Sequence, residues 1–178
     1  MAGGARGDVP VESGDVRTSL EQHLGSQQVA KVVYGSIIGL ALVVALERHP
    51  PGPGVMAVWL LGTAIAVGLA EVYSEILGAE TQTRQPVSRP QLRHMFEGAA
   101  AVGVGVAFPA VFFVLSAMGL FALDTAFTVA KWSGLGLIGF YGFWGARFAG
   151  ATVRRALVKG ALMALVGAGL IALKSLVH

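Results

Sequence analysis

Long apolar stretches alternate with short polar ones along this chain. Five apolar runs stand out, at residues 29–46, 55–77, 98–120, 125–146 and 156–177. Each has about 18 to 23 residues, the length a helix needs to cross a hydrocarbon core of about 30 Å. Lipid offers no partner to a backbone N–H or C=O, so the runs are expected to be helices. The period-two alternation of a membrane barrel strand is absent. Pro50, Pro51 and Pro53 separate the first two runs, and Pro86 and Pro90 the second and third. Pro109 falls in the middle of run three, where it removes a hydrogen bond and is expected to kink the helix, for architecture or for gating.

Residues 1–27 are expected to form a polar, flexible N-terminal segment, and residues 28–178 a five-helix transmembrane domain. A secretory leader needs an apolar segment close behind a basic start. Here the first apolar run begins near Val29, so it reads as a retained span. Thr18-Ser19-Leu20-Glu21 would allow a short helix at the membrane surface.

Composition sharpens this picture. Of 178 residues, 54% are hydrophobic and only 13% charged, about half the charged share of a soluble domain. That excludes a disordered polar chain and argues against a soluble enzyme. With no Cys, a disulfide framework, a zinc-thiolate site and a thiol nucleophile are all excluded. There is no P-loop, no HExxH and no Ser–His–acid set at a common depth, so the chain does not read as an enzyme. The net charge of +3 is mild for a nucleic-acid binder, and no nucleic-acid partner is expected.

The basic residues gather instead in alternate loops. Arg84, Arg89 and Arg93 lie between runs two and three, and Arg147, Arg154, Arg155 and Lys159 between runs four and five. The loop after run one holds only Arg48, and none follows run three before Lys131. Positive loops stay in the cytoplasm. The expected fold class is therefore an all-α polytopic membrane protein, N-terminus cytoplasmic and C-terminus external, in a bacterial plasma membrane.

Ionisable groups inside spans are costly and mark candidate sites. Glu71 and Glu75 stand four apart in run two, on one helical face. Together they could hold a divalent cation, or one could hold a proton. Alternatively they are salt-bridge partners of Lys31, which lies at a similar depth in antiparallel run one, or of Arg147. Tyr34 and Ser36 could hydrogen-bond Glu71 in either case. Lys131 could snorkel outward or pair with Asp124 or Glu47. Glu97, just after His94 and Met95, reads either as a third metal ligand or as a carboxylate favouring a helix N-terminus. Small residues, notably Gly35 and Gly39 in GxxxG spacing, Gly103 and Gly105 in run three, Gly136 to Gly145 at intervals of three, and Gly160 and Gly167, predict close helix packing.

Several stretches resemble the vacuolar iron transporter family. Ala64 to Glu75 is similar to its second helix, with Glu71 in the place of the family's glutamate. Val104-Gly105-Val106-Ala107-Phe108-Pro109 is similar to its third helix, and Gly139 to Arg147 with the Arg154-Arg155 turn to its C-terminal hairpin. The resemblance implies five spans, a homodimer with the path between subunits, and transport of a divalent metal ion; the GxxxG spacing of Gly35 and Gly39 is compatible with such a dimer contact. The resemblance would give Glu71 the central role, with Glu75 assisting and Pro109 shaping the path. Three positions depart from the family pattern. Ile38 stands where the family has Asp, Val67 where it has Met, and the loop from Gly78 to Phe96 is too short for the metal-binding insert of the plant iron transporters.

Two functions follow as expectations. One is transport of a divalent cation or other small solute, with or without proton coupling. The other is a non-transporting membrane scaffold or assembly protein with its acids in salt bridges. They differ in Glu71: a transporter places it in a polar cavity, a scaffold packs and pairs it. No resident cofactor is expected.

Overall fold

The computed structural model describes residues 13–176. Six helices account for the architecture: α1 Ser13–Leu46, α2 Pro53–Thr83, α3 Arg89–Ala107, α4 Ala110–Ala117, α5 Leu123–Phe148 and α6 Val153–Leu176. Among the described residues there is no strand. Four of the apolar runs fall in α1, α2, α5 and α6, and run three is divided between α3 and α4. α1 is already helical at Ser13, so the latter part of the segment expected to be flexible continues the first span without a break. Residues 1–12 of that segment lie outside the described residues.

Local chemistry sets the ends. α2 opens with Pro53 in its first turn, where the missing N–H costs nothing. It closes on Arg84 in the left-handed region at φ 54°, whose N–H reaches the Glu80 carbonyl at 2.8 Å. α3 opens with a capping box in which Ser88 and Gln91 satisfy each other's backbone donors. Pro109 does more than kink run three. Buried at the junction, it separates α3 from α4, and the two axes differ by 47°. Gly150, at φ 77°, turns the chain from α5 into α6.

α1 is the central element. It packs against α3 on one side and α5 on the other, with α2 outside α3 and α6 outside α5; α4 contacts both α2 and α5. Glycines permit these approaches. A Cβ on Gly35 would overlap the Val102 carbonyl, one on Gly39 would lie 2.7 Å from the Val106 carbonyl oxygen, and one on Gly105 would overlap the Val32 carbonyl. The glycine pair of α1 is thus used up against α3 within one chain. It is not a free face for a second copy, which corrects the compatibility with dimer contact that its spacing suggests. At α5/α6, a Cβ on Gly160 would lie 2.8 Å from the Gly139 carbonyl oxygen.

The main core joins Val43, Met56, Leu60, Phe113, Phe127 and Ala130, with the Phe113 and Phe127 rings edge to face at 4.9 Å. Elsewhere the flanks are apolar and open: Ile65, Leu69, Trp132 and Leu165 all stand exposed. Residues Gln27–Leu46 of α1 and the whole of α2 are long and apolar enough to cross a membrane, and the bent α3–α4 pair is a third such unit if it crosses as one broken span. Apolar flanks of this extent suit lipid and not water.

Candidate functional site

α1 and α2 barely touch, because α3 lies between them. Their charged groups nevertheless meet. The Lys31 ammonium on α1 lies 3.3 Å from Glu71 and in closer contact with Glu75, both on α2. It crosses α3 over Gly98, where any Cβ would collide with the Lys31 side-chain end. Gly98 is a saddle for the lysine. Replacing it with valine should lift Lys31 away from α2 and lower stability by about 1–2 kcal/mol. Thermal unfolding in detergent, with faster labelling of Lys31 by an amine reagent, measures both effects.

The three side chains are 22–30% accessible, so they sit at the edge of the bundle and not in a sealed core. Two carboxylates share one ammonium, leaving one formal negative charge over. The i, i+4 spacing of the acids let both be reached from one point, as the sequence suggests.

The other predicted partners go elsewhere. The Ser36 hydroxyl is buried and donates to the Val32 carbonyl at 2.8 Å. Tyr34 is 53% exposed, and among the described residues no hydrogen bond joins it to Glu71. Arg147 donates to the Ala151 carbonyl at 2.8 Å, closing the α5–α6 turn instead of meeting Glu75. Pro109 lies eleven residues along from Gly98, about 16 Å by helix rise, so it is far from the Glu71 level. Lys131 pairs at 2.5 Å with Glu47, just past the end of α1, one of its two expected partners.

Glu97 is half-exposed and engaged by its own helix, with Arg93 Nε at 3.2 Å and His94 Nδ1 at 3.8 Å. Among the described residues no group of three His, Asp or Glu side chains is arranged to hold a metal ion. Glu71, Glu75 and Glu97 therefore do not form one ligand set. A cavity of about 490 Å³ does open beside Glu75, lined also by Pro90, Gln91, His94 and Met95. Sequence reasoning found His94 and Met95 but attached them to Glu97. The missed residue is Gly98. Its only signal is that it opens a run of small residues, Gly98 to Ala101, opposite an intramembrane lysine.

Compared with known proteins, the chain matches no family model, no curated protein and no solved structure.

Proposed function

We propose that this chain is a five-helix integral membrane protein acting as a membrane scaffold or assembly protein, its intramembrane acids serving structure. Its N-terminus and basic loops lie in the cytoplasm, its C-terminus lies outside, and the membrane is a bacterial plasma membrane. The observation that carries the reading is the Lys31 bridge: Glu71 is paired across the bundle, as a structural carboxylate should be. The test is a flux assay on the purified chain in liposomes with iron, manganese, zinc and protons. The expected result is no flux that depends on Glu71. A flux abolished by Glu71→Gln in a folded protein overturns it.

Topology is tested separately. Because the chain lacks cysteine, single cysteines at His49 and Gln85 report two loops without background. In intact cells His49→Cys should label with an impermeant thiol reagent and Gln85→Cys should not. The reverse pattern inverts the orientation.

One observation favours a second reading, cation transport. The carboxylate pair carries one charge more than Lys31 neutralises, and Glu75 faces a cavity shared with Gln91, His94 and Met95. A proton or a cation could enter there and displace the lysine. The resemblance to vacuolar iron transporters supports this reading and would put the path between two copies. The α1 glycine face could not supply that contact, being filled by α3.

A further inference from the structure

From Thr125 to His178 the chain contains no Asp or Glu. The turn joining α5 and α6 nevertheless concentrates Arg147, Arg154, Arg155 and Lys159, all exposed, and among the described residues none of them has a carboxylate partner. Directly adjoining this turn is an apolar groove of about 610 Å³ between the two helices, lined by Gly136, Phe140 and Phe143 of α5 and by Leu157, Ala161 and Ala164 of α6.

Helical spacing links the charges to the groove. Arg147 is seven residues after Phe140 and four after Phe143. Arg154 is three before Leu157 and seven before Ala161. Both apolar stripes therefore end in an arginine at the same end. On α5 the groove runs from Trp132 to Phe143, about 16 Å of helix, close to the roughly 15 Å depth of one leaflet's hydrocarbon. The α2–α3 groove is of similar size, about 580 Å³, but the arginines at its end, Arg84, Arg89 and Arg93, are matched in number by Glu75, Glu80 and Glu97 in the same stretch, and Arg93 is paired with Glu97. Charge thus distinguishes the α5–α6 groove from its counterpart.

We propose that the α5–α6 groove binds one anionic phospholipid, its phosphate held between Arg147 and Arg154 and an acyl chain lying along the glycine-lined cleft. Guanidinium groups hold phosphate with paired donors, and each basic residue near a bilayer surface raises affinity for anionic lipid about fivefold. The inference rests on the membrane reading above.

The test uses the full chain reconstituted in vesicles of equal phosphatidylglycerol and phosphatidylcholine, extracted gently, with retained lipid identified by mass spectrometry. The wild-type chain should retain phosphatidylglycerol at least about fivefold over phosphatidylcholine. Arg147→Gln/Arg154→Gln should bring that ratio to about one. Should loss of the Arg147–Ala151 bond unfold the double variant, Arg154→Gln alone decides, since Arg154 has no ion pair in the described residues. Gly136→Leu, whose side chain would enter open space, should block the cleft and reduce retained lipid with both arginines intact. Equal retention of the two lipids by the wild-type chain, or an unchanged ratio in Arg154→Gln, overturns the site. Quantitative disulfide cross-linking of Ala161→Cys in the membrane also overturns it, because a second copy would then cover the groove. Failure of the wild-type chain to enter vesicles overturns the membrane reading itself, and is seen before any lipid ratio is measured.

Discussion

A leucine at Gly35 should separate α1 from α3 and destabilise the whole bundle. The clash at this position is with the Val102 carbonyl, which belongs to backbone and cannot rotate aside. One turn further along, Gly39 meets the Val106 carbonyl in the same way, and Gly105 faces back into the Val32 carbonyl. The α1/α3 contact is therefore held by backbone-to-backbone approach at three points, and a side chain at one of them forces the helices apart at all three. Overpacking a core costs about 1–3 kcal/mol when neighbours can adjust. Here they cannot, and α1 also carries α5, so about 3 kcal/mol or more is expected, a large fraction of the roughly 5–15 kcal/mol that holds a typical domain folded. Unfolding in detergent, followed by helix signal, measures the change. Gly136→Leu supplies the comparison, because its Cβ meets open space, and loss of a mid-helix glycine there should leave stability unchanged or raise it by up to about 1 kcal/mol. Equal stability of Gly35→Leu and the wild-type chain would show that α1 and α3 are not packed in this register.

Several features were legible in the sequence because they are local. Apolar run length marks where helices lie, and Pro109 marks where one must yield, since a missing donor acts on its own helix. The pairing of Lys31 with Glu71 and Glu75 was also within reach, because antiparallel runs of known length place residues at matching depths. What escaped was lateral order. Nothing in an apolar stripe says which neighbour it meets, so the Gly35–Gly39 face reads equally well as a dimer contact and as the α3 contact it makes. Gly98 escaped for the same reason: a glycine under a lysine is visible only once α3 is known to lie between α1 and α2. Arg147 was misplaced because a helix-end arginine can satisfy the nearby Ala151 carbonyl more cheaply than it can reach across the bundle. The start of α1 at Ser13 was hidden because helix continuation through a polar stretch leaves no apolar periodicity to read.

Removing the Lys31 ammonium should cost more than removing either carboxylate. Lys31→Met retains the apolar stem but leaves Glu71 and Glu75 four residues apart on one face with no cation between them. Breaking a fully buried pair costs about 3–5 kcal/mol. These side chains remain roughly a quarter accessible, so about 2 kcal/mol is the expected loss. Glu71→Gln or Glu75→Gln leaves Lys31 with one carboxylate, removes the excess negative charge, and should cost under about 1 kcal/mol. The triple variant Lys31→Met/Glu71→Gln/Glu75→Gln should regain most of what Lys31→Met loses, because neutral amides carry a much smaller desolvation penalty than unpaired carboxylates. Melting temperatures of the five proteins in one detergent give this order directly. The rescue tests the structural role alone, because a structural set tolerates joint neutralisation; transport is decided by the liposome flux assay, since a transport path is dead in the triple variant however well it folds. If Lys31→Met melts with the wild-type chain, the acids do not depend on the lysine, and the cavity beside Glu75 becomes the place where their charge must be met.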